Sequence, residues 1–271
     1  MHSEIRTLLS STFGRLLEQQ HPAAYARLAL PAHDEAQRAL WKELADGGWL
    51  EAGSEAFQAE HPASIRCDRA GDEQGWIDDY GPSAQYLRLS RQGEGWLLAR
   101  HDPAMLESVQ GLDPTVALAC LRGPAVAQAA LPAAMVLPAL QNHLAFQLAQ
   151  LIGAAGASLD LAIAYAKERE QFGRPIGQFQ AVKHALVDAW TGLDNSRYAV
   201  EALLQARAPA DPELASLAAR LSAGAARRAV KLGIQVHGGI GFSWEHDAQL
   251  YLKRAYRQAV EVERLAALLG D

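Results

Sequence analysis

The chain has 271 residues, 49% of them hydrophobic, and a formal net charge of −6 with acidic and basic side chains interspersed. That length allows one large domain or two smaller ones with a sizeable core, and the lack of a basic face argues against nucleic-acid binding. Its two cysteines, Cys67 and Cys120, are far apart with no CxxC spacing, which points away from a disulfide framework and a zinc site; no metal is expected, and the cytoplasm is the default compartment.

The first residues, Met1-His2-Ser3-Glu4-Ile5-Arg6, lack the basic start and apolar run of a secretory signal. The apolar stretches Leu131–Leu140 and Leu151–Ala166 are broken by Pro, Gly or Asp before they reach the roughly 20 residues of a membrane span. No membrane association is expected.

Three regions follow one another. Residues 1–53 read as a truncated N-terminal helical region. Ile5, Leu8, Leu9, Phe13, Leu16 and Leu17 fall at helical spacing, and Leu40, Trp41 and Leu44 share one face of a second helix that ends at Gly47-Gly48. Residues 54–124, rich in Gly, Pro and Asp, read as a small β module. Tyr86–Arg91 alternates as a strand does, Gly93-Glu94-Gly95 turns, and Trp96–Ala99 returns; Val116–Leu121 is a further apolar run.

Residues 125–271 read as a C-terminal antiparallel four-helix bundle, which makes the fold class mainly α. Leu148, Leu151, Ile152, Ala155, Leu159, Ala162, Ile163 and Ala166 form one stripe on a helix beginning near Ala133, and Val182, Leu186, Ala189, Leu193, Val200 and Leu203 form a second. Asp211-Pro212-Glu213 supplies an N-cap, a proline at the first helical position and an acidic first turn for a third helix. A fourth spans about residues 247–269.

Two stretches carry the chemistry. Tyr165–Gln180 runs from an apolar helix into a charged cluster, breaks at Gly173-Arg174-Pro175 and restarts at Gln178-Phe179-Gln180. Gln235-Val236-His237-Gly238-Gly239-Ile240-Gly241 ends another helix in a glycine-rich turn. The Gly-x-Gly is no Rossmann fingerprint, because a helix precedes it and Trp244 stands where the third glycine belongs. Arg169 carries a permanent planar charge suited to phosphate. Phe172 and Phe179 offer aromatic surface, and Gln180 and Gln235 each offer a donor and an acceptor.

The order of these residues resembles the C-terminal helical domain of flavin-dependent acyl-CoA dehydrogenases. Tyr165, Arg169, Phe172, Gly173, Ile176, Gln180, Gln235, Gly238, Gly239 and Gly241 match that family's pattern, and the similarity covers about residues 125–260. The segment Gly241–Arg254 resembles a bacterial branch that includes subunits of heteromeric enzymes acting on steroid side chains. Upstream, Leu40–Leu50 resembles the family's early Trp-x-x-Leu-Ala-x-x-Gly-Trp helix. Ser83–Leu121 resembles the second half of its middle β-domain.

The resemblance implies FAD as cofactor and α,β-desaturation of an acyl-CoA substrate, with a glutamate as the base. It places Arg169, Phe172, Gln180, Gln235, Val236, His237, Gly238 and Gly239 on the side that grips the ADP half of a flavin seated in a neighbouring subunit. Two departures stand out. Nothing in Glu51–Asp79 resembles the family's Thr-Glu-x-x-x-Gly-Ser-Asp motif, and its base location falls on Val262, between Glu261 and Glu263, with His143 at an alternative location. Glu261, Glu263 and His143 are therefore the candidate bases. Glu245, near the glycine turn, is expected to be structural.

The expected function is a shortened subunit that gives ADP-side FAD contacts to a partner, either in a homo-oligomer or with a full-length acyl-CoA dehydrogenase paralogue. The alternatives are a self-sufficient compact acyl-CoA dehydrogenase and a non-catalytic assembly protein with the dehydrogenase fold.

Overall fold

The computed structural model describes residues 63–68, 76–78, 85–93, 95–206 and 210–270. The two helices read from residues 1–53 lie outside these. Seven strands come first: β1 (Ala63–Asp68), β2 (Trp76–Asp78), β3 (Gln85–Gln92), β4 (Gly95–His101), β5 (Leu106–Val109), β6 (Leu118–Leu121) and β7 (Ala127–Leu131). One sheet has the order β1-β3-β4-β7 and another the order β2-β6-β5. The hairpin expected around Gly93 is present as β3 and β4, with Gly93 at φ +60, a value that glycine adopts without steric penalty.

Four helices follow: α1 (Ala133–Glu168), α2 (Gln180–Gln205), α3 (Pro212–His237) and α4 (Ala248–Gly270). Between α1 and α2 lie two short strands, β8 (Glu170–Gln171) and β9 (Arg174–Pro175), and a 3-10 turn over Ile176–Gln178.

The described residues fall into two compact units: residues 63–66, 76–78, 85–88 and 99–128, and residues 67–68, 89–93, 95–98, 129–206 and 210–270. In the first, Tyr86, Leu106, Ala119 and Leu121 form a small apolar core, with β2 and β5 pairing antiparallel on either side of β6.

The second unit contains the bundle. On α1 the buried residues Leu144, Leu148, Leu151, Ile152, Ala155, Leu159, Ala162 and Ala166 recur every three or four positions, as one helical face requires. Burying each leucine contributes about 1.5–3 kcal/mol. By length and hydropathy alone α1 could cross a membrane, yet this stripe faces the core of the bundle. The buried face of α3 is almost all small: Ala215, Ala218, Ala219, Ser222, Ala223, Ala226 and Ala229. Short side chains let neighbouring backbones approach, and α3 packs against α1, α2 and α4. The expected cap at its start is present, with the Asp211 carboxylate accepting the Leu214 amide at 2.9 Å.

Candidate nucleotide-binding site

Because successive helices alternate in direction, α1 and α3 end at the same pole of the bundle. Tyr165, in the last turn of α1, and His237, the last residue of α3, lie ring against ring with centroids 4.7 Å apart. The two motifs singled out in the sequence are thereby neighbours in space.

The first motif is a tight hairpin. The α1 helix closes with the Arg169 amide donating to the Tyr165 carbonyl at 2.8 Å. Strands β8 and β9 then pair Glu170 with Pro175 and Gln171 with Arg174. The two turn residues both have positive φ, Phe172 at 55° and Gly173 at 77°, as the mirror-image turns that suit hairpins require. Glycine is at ease there; phenylalanine costs about 1–2 kcal/mol. The Phe172 ring is 92% exposed and meets Phe179 edge to face at 6.1 Å. The Arg174 guanidinium lies 4.2 Å from the centre of the Phe179 ring, an ordering contact that the sequence reading missed because it depends on the hairpin's return.

Arg169 and Gln180 are exposed on this hairpin and at the start of α2. The Arg169 side chain makes no hydrogen bond or ion pair among the described residues. A cation with no internal partner is available to an external anion.

The second motif is a 3-10 turn over Gly238–Phe242. Gly238 has φ +63 and its amide closes α3 by donating to the Gln235 and Ile234 carbonyls. The Gly238 N–H is thus consumed by the helix end. In a 3-10 turn each amide from the third residue on bonds the carbonyl three residues back, so Gly239 is the one the turn can present. Gly239 is exposed and a Cβ there would meet nothing. Gln235 is exposed, Val236 is half-buried, and His237 is 5% exposed with its ring turned into the protein. Ile240 and Phe242 of the turn and Trp244 beyond it are exposed, and the Lys253 ammonium sits 4.8 Å over the Trp244 ring.

The three candidate bases lie elsewhere, on α1 and α4. Val262 is fully buried. Glu263 accepts two hydrogen bonds from Arg227, at 2.6 and 2.8 Å, and Glu261 accepts two from Arg264, at 3.0 and 2.5 Å. His143 is half-buried, and burial pushes its pKa below the ordinary 6.5, with the Glu261 charge opposing that shift and Arg264 adding to it. The structure thus brings His143 and Glu261 into electrostatic reach of each other and leaves Glu263 in a separate pair with Arg227 of α3.

The geometry has known counterparts. A family model described as "Acyl-CoA dehydrogenase, C-terminal domain" matches residues 134–263. The acyl-CoA dehydrogenase IpdE2 of Mycolicibacterium smegmatis is 43% identical over 111 residues, 41% of this chain and 35% of that protein. The chain therefore matches about a third of that relative's length. Among solved structures, the Tcur3481-Tcur3483 steroid ACAD G363A variant aligns with a TM-score of 0.64 at 24% identity, covering 79% of this chain and 63% of that one. The ChsE4-ChsE5 complex of Mycobacterium tuberculosis aligns at 0.59 and 23%, covering 79% and 62%. A glutaryl-CoA dehydrogenase from Mycobacterium smegmatis in complex with FADH2 aligns at 0.59 and 15%, covering 79% and 60%. At these identities the structures establish the shared fold alone, and the similarity to the acyl-CoA dehydrogenase C-terminal domain model is confined to residues 134–263.

Proposed function

We propose that this chain is a subunit of an FAD-dependent acyl-CoA dehydrogenase and that it supplies contacts to the ADP half of a cofactor whose ring is housed by a partner subunit. One observation carries the proposal. An exposed, unpartnered Arg169 guanidinium and an exposed glycine turn occur at one pole of a bundle that this family's model matches.

The donor set fits a dinucleotide. A guanidinium matches phosphate oxygens in geometry and charge. Amides at the head of a helical turn suit an anion as well. Gln180 and Gln235 offer neutral donors and acceptors for sugar or base edges. Phe172, held at a strained φ with its ring in solvent, offers an aromatic face; a strained and exposed aromatic is a recurrent mark of a contact surface. When bound, FAD supplies the acceptor for a hydride from the β-carbon of an acyl-CoA whose α-proton is taken by a base.

That base is assigned to the partner. The two glutamates beside the family's base location are each committed to an arginine, and the residue at the location itself is Val262. A carboxylate that takes two hydrogen bonds from a guanidinium has both oxygens turned to that partner and not to a substrate. The likeness to a structure titled as a ChsE4-ChsE5 complex supports an acyl-CoA dehydrogenase paralogue as partner. The likeness to a structure titled as a steroid ACAD variant supports a bulky, steroid-like acyl group.

The test is co-expression with a candidate flavoprotein partner and measurement of FAD per complex by absorbance after denaturation. Arg169→Ala is expected to lower FAD content at least tenfold while the complex still forms, and Arg169→Lys to lose less. Unchanged FAD content in Arg169→Ala would refute the proposal. The chain purified alone is expected to be colourless and inactive, and turnover by the lone chain would overturn the partner requirement.

A further inference from the structure

His237 belongs to the glycine-turn motif, yet its side chain does not face the site. Its ring is buried between Tyr165, at 4.7 Å, and His246, at 4.3 Å. Its Nδ1 lies 2.7 Å from the Gly233 carbonyl, one helical turn back. A carbonyl can only accept, so Nδ1 carries the hydrogen and the ring is fixed about its own axis. On the far side, His246 Nδ1 accepts the Ala248 amide at 3.1 Å, at the first turn of α4.

Two glycines extend this column of contacts to both motifs. A Cβ on Gly241 would stand 3.0 Å from the His237 Cβ and 3.0 Å from the Ile234 carbonyl oxygen, so the turn rests directly on the end of α3. A Cβ on Gly177 would stand 2.9 Å from the Ala166 carbonyl oxygen, so the segment after the hairpin rests directly on the end of α1. Tyr165 and Ala166 are adjacent, which joins one contact to the next. The path from hairpin to turn therefore runs Gly177, Ala166, Tyr165, His237, Gly241 without a flexible link.

We infer that Tyr165 and His237 are positioning residues whose contacting rings set the distance between Arg169 and the amide of Gly239, and that this fixed distance selects ligands with two linked phosphates over those with one. The inference rests on the nucleotide reading above and adds the device that gives it selectivity. A diphosphate must meet the guanidinium and the turn together, whereas a monophosphate needs only one of them. Two anchors recognise a rigid span only when their separation is held to a fraction of an ångström. Aromatic contact and one buried hydrogen bond are suited to that.

The experiment is calorimetric titration of the full chain with ADP and with AMP. The readout is the ratio of the two affinities, which loss of stability alone does not move. The unsubstituted chain is expected to prefer ADP. His237→Ala, which removes the ring contact and the Gly233 bond, is expected to lower the ADP:AMP ratio about tenfold. His237→Phe keeps a ring against Tyr165 and is expected to retain most of the preference. Should His237→Ala fail to fold, as judged by circular dichroism, Tyr165→Leu removes the ring contact with less loss of volume and is expected to lower the ratio likewise.

An unchanged ratio in the folded variant, even with both affinities reduced, overturns the inference. Arg169→Ala separates the two levels. If it weakens ADP binding while the ratio survives His237→Ala, the positioning role alone falls. If it leaves ADP binding intact, the nucleotide reading falls and this inference with it.

Discussion

Arg227 on α3 grips Glu263 on α4 through two hydrogen bonds of 2.6 and 2.8 Å. That hydrogen bond is the main cause of the raised Arg227 pKa, with burial opposing it. One helical position earlier Val262 is fully buried, and two positions earlier Glu261 is held by Arg264. Successive residues on a helix are turned by about 100°, so these three side chains point to three different surroundings. The Glu263 pair links two helices and its carboxylate is a structural anion.

Glu263→Gln is accordingly expected to cost no more than about 1 kcal/mol, because both partners remain partly open to water and the pair is screened. Urea denaturation reads this directly. Turnover of the assembled enzyme is expected to be unchanged, and a collapse of turnover at intact stability would make Glu263 the base.

His143 gives a pH dependence with a definite sign. Burial lowers its pKa in the folded chain below the ordinary 6.5. The unfolded chain then binds the proton more readily, so below about pH 6.5 unfolding becomes easier as pH falls. The contribution is complete above 6.5 and is lost progressively down to the lowered folded value. His143→Gln is expected to flatten that acid limb. His101, buried in the first unit and lowered by the same cause, leaves a residual slope. The midpoint of denaturation followed from pH 7.5 to pH 5 checks this, and an acid limb of unchanged steepness in the variant would show that His143 is not responsible.

Periodicity made the bundle legible, because leucines at 144, 148, 151 and 159 can share a buried face only on a helix. The Asp211 cap and the Gly93 hairpin were equally local signals. The neighbourhood of Arg169 and the glycine turn was implied by the family resemblance, not by any local signal. What was hidden depends on rotation and return. The inward His237 ring, the Arg174 guanidinium over Phe179 and the Arg227–Glu263 pair each require knowing which helix faces which, or where a hairpin strand comes back. The role of the Gly238 amide was hidden for a related reason: a glycine after a helix both caps that helix and opens the next turn, and only its φ of +63 and its acceptors tell which role its N–H serves.

Gln141 tests the opposite pole. Its buried amide donates to the Leu203 carbonyl at 3.3 Å and accepts the Asp211 amide at 2.8 Å, tying α1 to the end of α2 and to the cap of α3. Gln141→Leu fills similar space but leaves those backbone groups without their partner. The expected loss is about 1–3 kcal/mol, with the nucleotide affinity of the folded protein unaltered. A neutral effect on denaturation would mean that water or a shifted backbone replaces the side chain.

The two exposed loops predict opposite outcomes for the same substitution at two glycines. At Gly177 an added methyl would lie 2.9 Å from the backbone oxygen of Ala166, and backbone cannot swing aside as a side-chain tip can. Gly177→Ala therefore lifts the segment leading into α2 and is expected to cost about 1–3 kcal/mol of stability, the range for forcing a methyl into packed surroundings, along with nucleotide affinity. At Gly239 the methyl meets nothing in the protein and φ is not positive. Gly239→Ala is expected to leave stability within about 0.5 kcal/mol and yet to weaken binding of ADP, because the methyl projects where a phosphate approaches the amide. Thermal denaturation paired with ADP titration separates the two. If Gly239→Ala binds ADP as the parent chain does, the turn is not where the phosphate sits, and the site shrinks to the Arg169 hairpin.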